Sequence, residues 1–286
     1  MERQPLSSCS TSRLAAVELF LSDMDGTWLG DHHSPTAGGA EAIEEASAAG
    51  VGFCFATGRC PLSASLASKL DLSSRAGIYS NGAVVRGAGG APLYTMDLPA
   101  EIVASLIALA KGAGDVCALC NDVDDFWTES LEAPMALHLH DDYGDPYPRA
   151  GVPQRAQLVH LVGAEVTIDG IEEQVRQEMG AVVAVGRNLP TDLVISHPDA
   201  TKGEATKRLC EALGRTAFLC VGDSGNDASM LRHATESGNI GVAMANARPA
   251  AMEAAEFVAA GRNTDDVPGV LEAMRAIAAA KKSSLA

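Results

Sequence analysis

The chain has 286 residues, 47% hydrophobic and 20% charged, an ordinary balance for a soluble globular protein with room for one large domain or two smaller ones. Its 37 Asp and Glu against 21 Lys and Arg give a formal net charge of −16. That excess disfavours nucleic acid and anionic membrane surfaces as partners, and any anionic substrate must be met by local cation, amide or metal charge.

No apolar run approaches the ~18–20 residues of a membrane span. Residues 1–13 are Ser-rich and read as a disordered tail, with organellar targeting left open. The apolar run Val17–Ser22 then predicts a buried strand, closed by Asp23-Met24-Asp25-Gly26-Thr27. A helix is predicted over Ala40–Ala49, ended by Gly50. A second strand, Val51–Ala56, runs into Thr57-Gly58-Arg59. A helix at about Pro61–Leu70 and a third strand, Gly77–Ser80, complete an alternation that implies a parallel sheet wrapped by helices.

The pattern changes between about Ala83 and Ile195. Hairpin-like pieces surround Gly87–Gly90, a helix covers Ala100–Lys111, and Asn121–Asp125 reads as irregular. A Pro/Gly/Asp-rich loop at Asp141–Pro153, a polar helix at Gly170–Met179 and short strands follow, together an α+β insert. Alternation resumes with a helix at Lys202–Leu213, a strand at Ala217–Val221, the loop Gly222–Asp227, and helices at Pro249–Glu256 and Val267–Ala280. One domain (14–83 and 196–286) is thus expected to be interrupted by another (84–195). The seven cysteines are scattered, and Cys117-Ala118-Leu119-Cys120 has the spacing of a redox or zinc pair without a second such pair. Buried thiols in a reducing, cytoplasmic compartment are the plain reading.

The chemistry concentrates at strand ends. Asp23 and Asp25 stand one residue apart after the first strand, and adjacent carboxylates repel unless a cation or shared proton intervenes. Gly222-Asp223-Ser224-Gly225-Asn226-Asp227 delivers two more after another buried strand. In an open α/β sheet both loops lie where ligands bind, and hard oxygen donors of this kind suit Mg2+. The hydroxyl and amides of Thr57-Gly58-Arg59 fit phosphate oxygens. Lys202 opens a helix, where a cation opposes the helix dipole unless it neutralises an anion.

In this order the four elements resemble the haloacid dehalogenase superfamily of phosphotransferases, Cof-type (subclass IIB). Asp23-Met24-Asp25-Gly26-Thr27, Thr57, Lys202 and Gly222-Asp223-x-x-Asn226-Asp227 match its four motifs. Ser80-Asn81-Gly82-Ala83 and Gly241–Ala247 agree as well, so the resemblance spans about residues 17–275. It implies an α/β fold, a Rossmann-like parallel-sheet core with an inserted α+β cap of the C2 type. It also implies an Mg2+-dependent phosphatase of small phosphorylated metabolites, sugar phosphates foremost, working as a monomer or homodimer. Asp23 would be the nucleophile and Asp25 the general acid–base. Asp23, Asp25 (through its carbonyl) and Asp223 would hold the metal, with Asp227 either a ligand or a support for those that are. Thr57, Gly58, Arg59 and Lys202 would bind the phosphoryl group, and Asn226 would contact it or orient Lys202. Phosphohexomutase-like transfer and a non-catalytic phosphometabolite-binding regulator are the alternatives. Trp28 and nearby His32-His33 are also similar to sucrose-phosphate phosphatases, although those commonly carry His where Gly26 stands.

Overall fold

A computed structural model describes residues 3–30, 35–59, 75–123, 125–129, 131 and 148–284. The helix expected at 61–70, His32, His33 and most of the 141–153 loop lie outside the described residues. Among the described residues no helix is long and apolar enough to cross a membrane.

The N-terminal segment corrects the expectation of a disordered tail. Strand β1 (Gln4–Pro5) adds in parallel to the edge strand β15 (Phe257–Val258), and helix α1 (Thr11–Ala16) follows, capped by Ser10. Leu6 is buried, and the Arg13 guanidinium grips Glu256 through two hydrogen bonds of 2.7 and 2.8 Å. An unpaired sheet edge and a carboxylate some 240 residues away supply what local composition does not show.

The chain divides into two compact units: residues 92–200 together with Arg59 form the second and the other described residues the first, so the main boundaries fall at 91/92 and 200/201 rather than near 83 and 196. The first shift has a simple cause: β5 (Val84–Arg86) pairs antiparallel with β4 (Gly77–Tyr79) and extends the first sheet. The second follows from β12 (Asp192–Ser196), which pairs along its whole length within the other unit.

In the first unit the strand order is β1-β15-β14-β13-β2-β3-β4-β5. Strand β2 (Leu19–Ser22) lies between β3 (Gly52–Ala56) and β13 (Phe218–Gly222), and β14 (Ile240–Ala243) flanks β13. All these pairs are parallel. Chain order runs outward from β2 in both directions, so the β2/β13 boundary is a topological switch point. Register is level there: Ser22 pairs with both Val221 and Phe55. The loops starting at Asp23, Thr57 and Asp223 therefore leave the sheet side by side. Helices α2 (Gly39–Ala48), α5 (Lys202–Leu213), α6 (Ala228–Glu236), α7 (Pro249–Ala254) and α8 (Gly269–Ser284) belong to this unit. Trp28 is buried with its ring centroid 5.0 Å from Phe53 and 5.6 Å from Phe55, so its place after the first loop is core packing.

The second unit begins with β6 (Pro92–Thr95) and carries β7 (Cys117–Asp122), β8 (Asp125–Thr128), β10 (Leu158–Val162) and β11 (Ala184–Leu189) with β12 in the antiparallel order β11-β12-β10-β7-β8, β9 (Arg149–Ala150) lying parallel at the edge. Helices α3 (Ala100–Ala113) and α4 (Glu165–Met179) share its larger apolar core. The stretch read as irregular is a hairpin: β7 (Cys117–Asp122) pairs with β8 (Asp125–Thr128). Its turn uses Val123 at φ 51°, a non-glycine exception that turn chemistry does not flag. The Cys-x-x-Cys spacing falls on β7, where side chains alternate between faces. Cys117 packs with Leu119 and Phe126, whereas Cys120 packs in the helix-side core. The two thiols cannot share one metal, and burial pushes Cys120 up to about 12.

Candidate active site

The site is built on the level ends of β2, β3 and β13 and on the first turn of α5, all within the first unit. Asp23 leaves β2 with its amide donating to the Val221 carbonyl (2.9 Å), which carries the register one residue into the loop. Gly26 sits at φ 82°, and a Cβ there would lie 2.5 Å from Asp223 Oδ2. Only glycine allows the first loop to approach the fourth so closely. Thr27 is buried and its hydroxyl donates toward Asp223 Oδ1 (3.4 Å).

Lys202 is the centre of the cluster. Its Nζ, fully buried, donates to Asp23 Oδ1 at 2.6 Å and to Asp227 Oδ1 at 2.6 Å. A cation in a first helical turn is thereby explained, because two carboxylates receive it. Asp227 has no spare oxygen, since its Oδ2 accepts from the amides of Asp223 (3.0 Å) and Ser224 (2.9 Å). Asp23 Oδ2, by contrast, is buried with no hydrogen-bond partner among the described residues.

Carboxylate oxygens of Asp23, Asp223 and Asp227 all lie within 4.8 Å of one another. Three carboxylates against one ammonium leave an excess of two negative charges. Burial raises the Asp23 carboxyl well above the ordinary range, Asp227 and Asp223 add to this, and Lys202 pulls it back. Asp223 is raised to about 6, by burial and then by Asp227. For Lys202 burial opposes the charge, but Asp227 and Asp23 outweigh it and hold the ammonium above its usual value. Hard oxygen donors and uncompensated charge in a buried cluster together fit a divalent cation, with the Asp23 and Asp223 carboxylates as the available donors. Asp25, two residues along the same loop, is half-buried.

The phosphate-binding candidates are arranged around this cluster. Thr57 is fully buried, with its amide donating to the Ile78 carbonyl (2.9 Å). Gly58 faces the amides of Asn81 and Asn226, and a Cβ there would lie 2.8 Å from Asn81 Oδ1 and 3.5 Å from Asn226 Nδ2. Asn226 is exposed, while Arg59 is buried and is grouped with the second unit.

Two asparagines have places here that the sequence reading did not assign. Asn246 Nδ2 donates to the Gly26 carbonyl (2.9 Å) and toward Asp223 Oδ2 (3.4 Å), while its Oδ1 accepts from the Asn263 amide (3.1 Å). Asn81 Oδ1 accepts from Asn226 Nδ2 (2.9 Å). Both lie in stretches that match the family pattern, but their partners are distant in sequence.

A profile described as haloacid dehalogenase-like hydrolase matches residues 20–274. The Bacillus subtilis protein YxeH is 29% identical over 92% of this chain and 99% of its own length. An HMP-PP phosphatase of Yersinia pestis is 30% identical over 83% of this chain and 85% of its own. A crystal structure of a haloacid dehalogenase-like hydrolase from Bacteroides thetaiotaomicron superposes with a TM-score of 0.80 at 22% identity, covering 91% of this chain and 99% of that one. With the match running through both acidic loops and Lys202, the chain belongs to the haloacid dehalogenase-like hydrolases.

Proposed function

We propose that this phosphatase of the haloacid dehalogenase-like family is Mg2+-dependent and acts on a small phosphorylated metabolite through a phosphoryl group carried on Asp23. The observation that carries the reading is the pairing of Asp23 with Lys202 at 2.6 Å while Asp23 Oδ2 keeps no partner among the described residues. A carboxylate held in place on one oxygen and bare on the other is arranged to attack.

In the first half-reaction the Asp23 carboxylate forms a bond to phosphorus as the bond to the leaving oxygen breaks. Asp25, as the carboxylic acid, gives its proton to that oxygen, and the alcohol departs. In the second half-reaction Asp25, now a carboxylate, takes a proton from water. The oxygen of that water bonds to phosphorus as the Asp23–phosphorus bond breaks, which restores both groups. Thr57, the Gly58 amide, Asn226 and Lys202 supply donors to the equatorial oxygens, where charge spreads in the transition state. Mg2+, when bound by Asp23, Asp223 and the Asp25 carbonyl, supplies the Lewis-acid charge that offsets the surplus carboxylates.

We assign Asp227 to holding Lys202 and the fourth loop rather than to the metal, since both its oxygens are already engaged. The second unit is assigned the selection of the leaving group. That a relative is named for HMP-PP supports a small phosphorylated substrate, with sugar phosphates the first class to screen.

Asp23→Asn tests the reading. Hydrolysis of a generic aryl phosphate should disappear while the melting temperature holds, and retained turnover contradicts it. Release of inorganic phosphate, rather than isomerisation of a hexose phosphate, separates phosphatase from mutase.

A further inference from the structure

Ser80, Asn81 and Gly82, at the end of β4, have φ values of 52°, 56° and 105°. Three successive residues in the left-handed half of conformational space, two of them not glycine, are unusual. Such conformations persist only where surrounding contacts over-determine them, and they cluster at functional sites.

The contacts are visible, and each reaches a different loop of the site. The Asn81 amide donates to the Thr57 carbonyl (3.1 Å), which ties the segment to the end of β3. Asn81 Oδ1 accepts from Asn226 Nδ2 at 2.9 Å, which ties it to the fourth loop. Gly82 packs against the chain at Thr201, the N-cap of α5, and a Cβ there would lie 2.2 Å from the Thr201 carbonyl oxygen. The next residue is Lys202.

Asn226 is held at both ends of its carboxamide. Ser224 Oγ donates to Asn226 Oδ1 (2.7 Å), and Asn81 Oδ1 takes one hydrogen of Asn226 Nδ2. A primary amide has two N–H donors, so the second is fixed in direction by the first. Asn226 Nδ2 lies 3.5 Å from where a Gly58 Cβ would stand, beside the turn that follows Thr57.

We propose that Asn81 is a positioning residue: through its bond to Asn226 it aims the second Asn226 N–H at the phosphoryl group bound over Thr57 and Gly58. The inference rests on the phosphate-binding reading of that turn. It also gives the left-handed stretch a purpose, since that backbone carries the Asn81 side chain to Asn226.

The test separates this role from a structural one. Asn81→Gly removes the side chain but accepts φ 56° without strain, so the protein should fold with an unchanged or slightly raised melting temperature. Affinity for orthovanadate and inorganic phosphate, read by thermal shift in saturating Mg2+, should fall about 10- to 100-fold, the size of one hydrogen bond to a charged group. kcat/KM for an aryl phosphate should fall by the same factor. Asn226→Ala should give a similar loss, and the double variant should be no worse than Asn226→Ala alone. The shift produced by Mg2+ alone should be unaffected in all three. Multiplying losses in the double variant, or wild-type phosphate affinity in Asn81→Gly, overturns the proposal. Because anion binding is read without turnover, a wild type that binds phosphate yet hydrolyses nothing removes the phosphatase reading, while loss of that binding in Asn81→Gly still supports the role of Asn81.

Discussion

Lys202 Nζ lies 2.6 Å from Asp23 Oδ1 and 2.6 Å from Asp227 Oδ1, with all three side chains buried. A residue that opens one helix thus locks together the ends of two sheet strands. Removing the ammonium leaves two carboxylates in a poorly solvated space, and breaking a buried pair in this way costs about 3–5 kcal/mol. Lys202→Met should therefore lower the melting temperature of the metal-free protein by several degrees and abolish hydrolysis. A calorimetric scan showing no loss of stability contradicts that role for Lys202.

Asp223 and Asp227 stand in one loop but face different tasks. Among the described residues the Asp223 carboxylate accepts two long hydrogen bonds of 3.4 Å, whereas Asp227 uses both oxygens at 3.0 Å or less. Asp227→Asn should destabilise the protein by about 1–3 kcal/mol, because a buried network loses an acceptor, yet keep an Mg2+-induced rise in melting temperature. Asp223→Asn should remove that rise, while the metal-free protein melts no lower than wild type because a repelling charge has gone. Equal loss of the Mg2+ response in both variants makes Asp227 a ligand.

Stability without metal should fall as pH rises through the weakly acidic range. Asp223 moves from 3.8 when unfolded to about 6 in the folded protein, and Asp23 is also raised, in both cases by burial first. The folded chain therefore holds protons that the unfolded chain has released, so stability declines with pH in this window. The Asp223 contribution is fully present below about 3.8 and is lost as pH passes through about 6, and that of Asp23 acts in the same direction. The Mg2+-induced shift should grow over the same interval, since the metal competes with those protons. Melting curves at pH 4.5, 6 and 7.5, with Mg2+ and with chelator, test this. A metal-free protein that gains stability over that range refutes it.

The N-terminal segment should contribute measurably to stability. Deleting residues 1–10 removes the β1 pairing with β15 and the burial of Leu6. A buried Leu alone is worth about 1.5–3 kcal/mol, so a clear drop in melting temperature is expected. Arg13→Ala should cost about 1 kcal/mol, because its pair with Glu256 is roughly one-third exposed. Phosphatase activity per folded molecule should remain that of wild type, and a truncated chain as stable as the full one contradicts the clamp.

The acidic loops, Thr57 and Lys202 were legible in the sequence because each follows or opens a strongly patterned element. The level register of Ser22 with Val221 and Phe55 then turns four separate motifs into one cluster. The rest depended on partners that no local pattern reveals. Asn81 meets Asn226, which is 145 residues away, and Asn246 meets Gly26, which is 220 away. The Val123 turn lacks the glycine that announces most hairpins, so β7 and β8 read as irregular. The Ser-rich start of the chain resembles a tail by composition, and only the vacant side of β15 makes it a strand.

The most direct measurement is peptide mapping of the enzyme quenched in acid during steady-state turnover of an aryl phosphate with Mg2+. A phosphoryl group on Asp23, released by hydroxylamine and absent from Asp23→Asn, is the predicted result. Phosphate release by the Asp23→Asn variant, or a phosphoryl group on any other residue, would contradict Asp23 as the nucleophile.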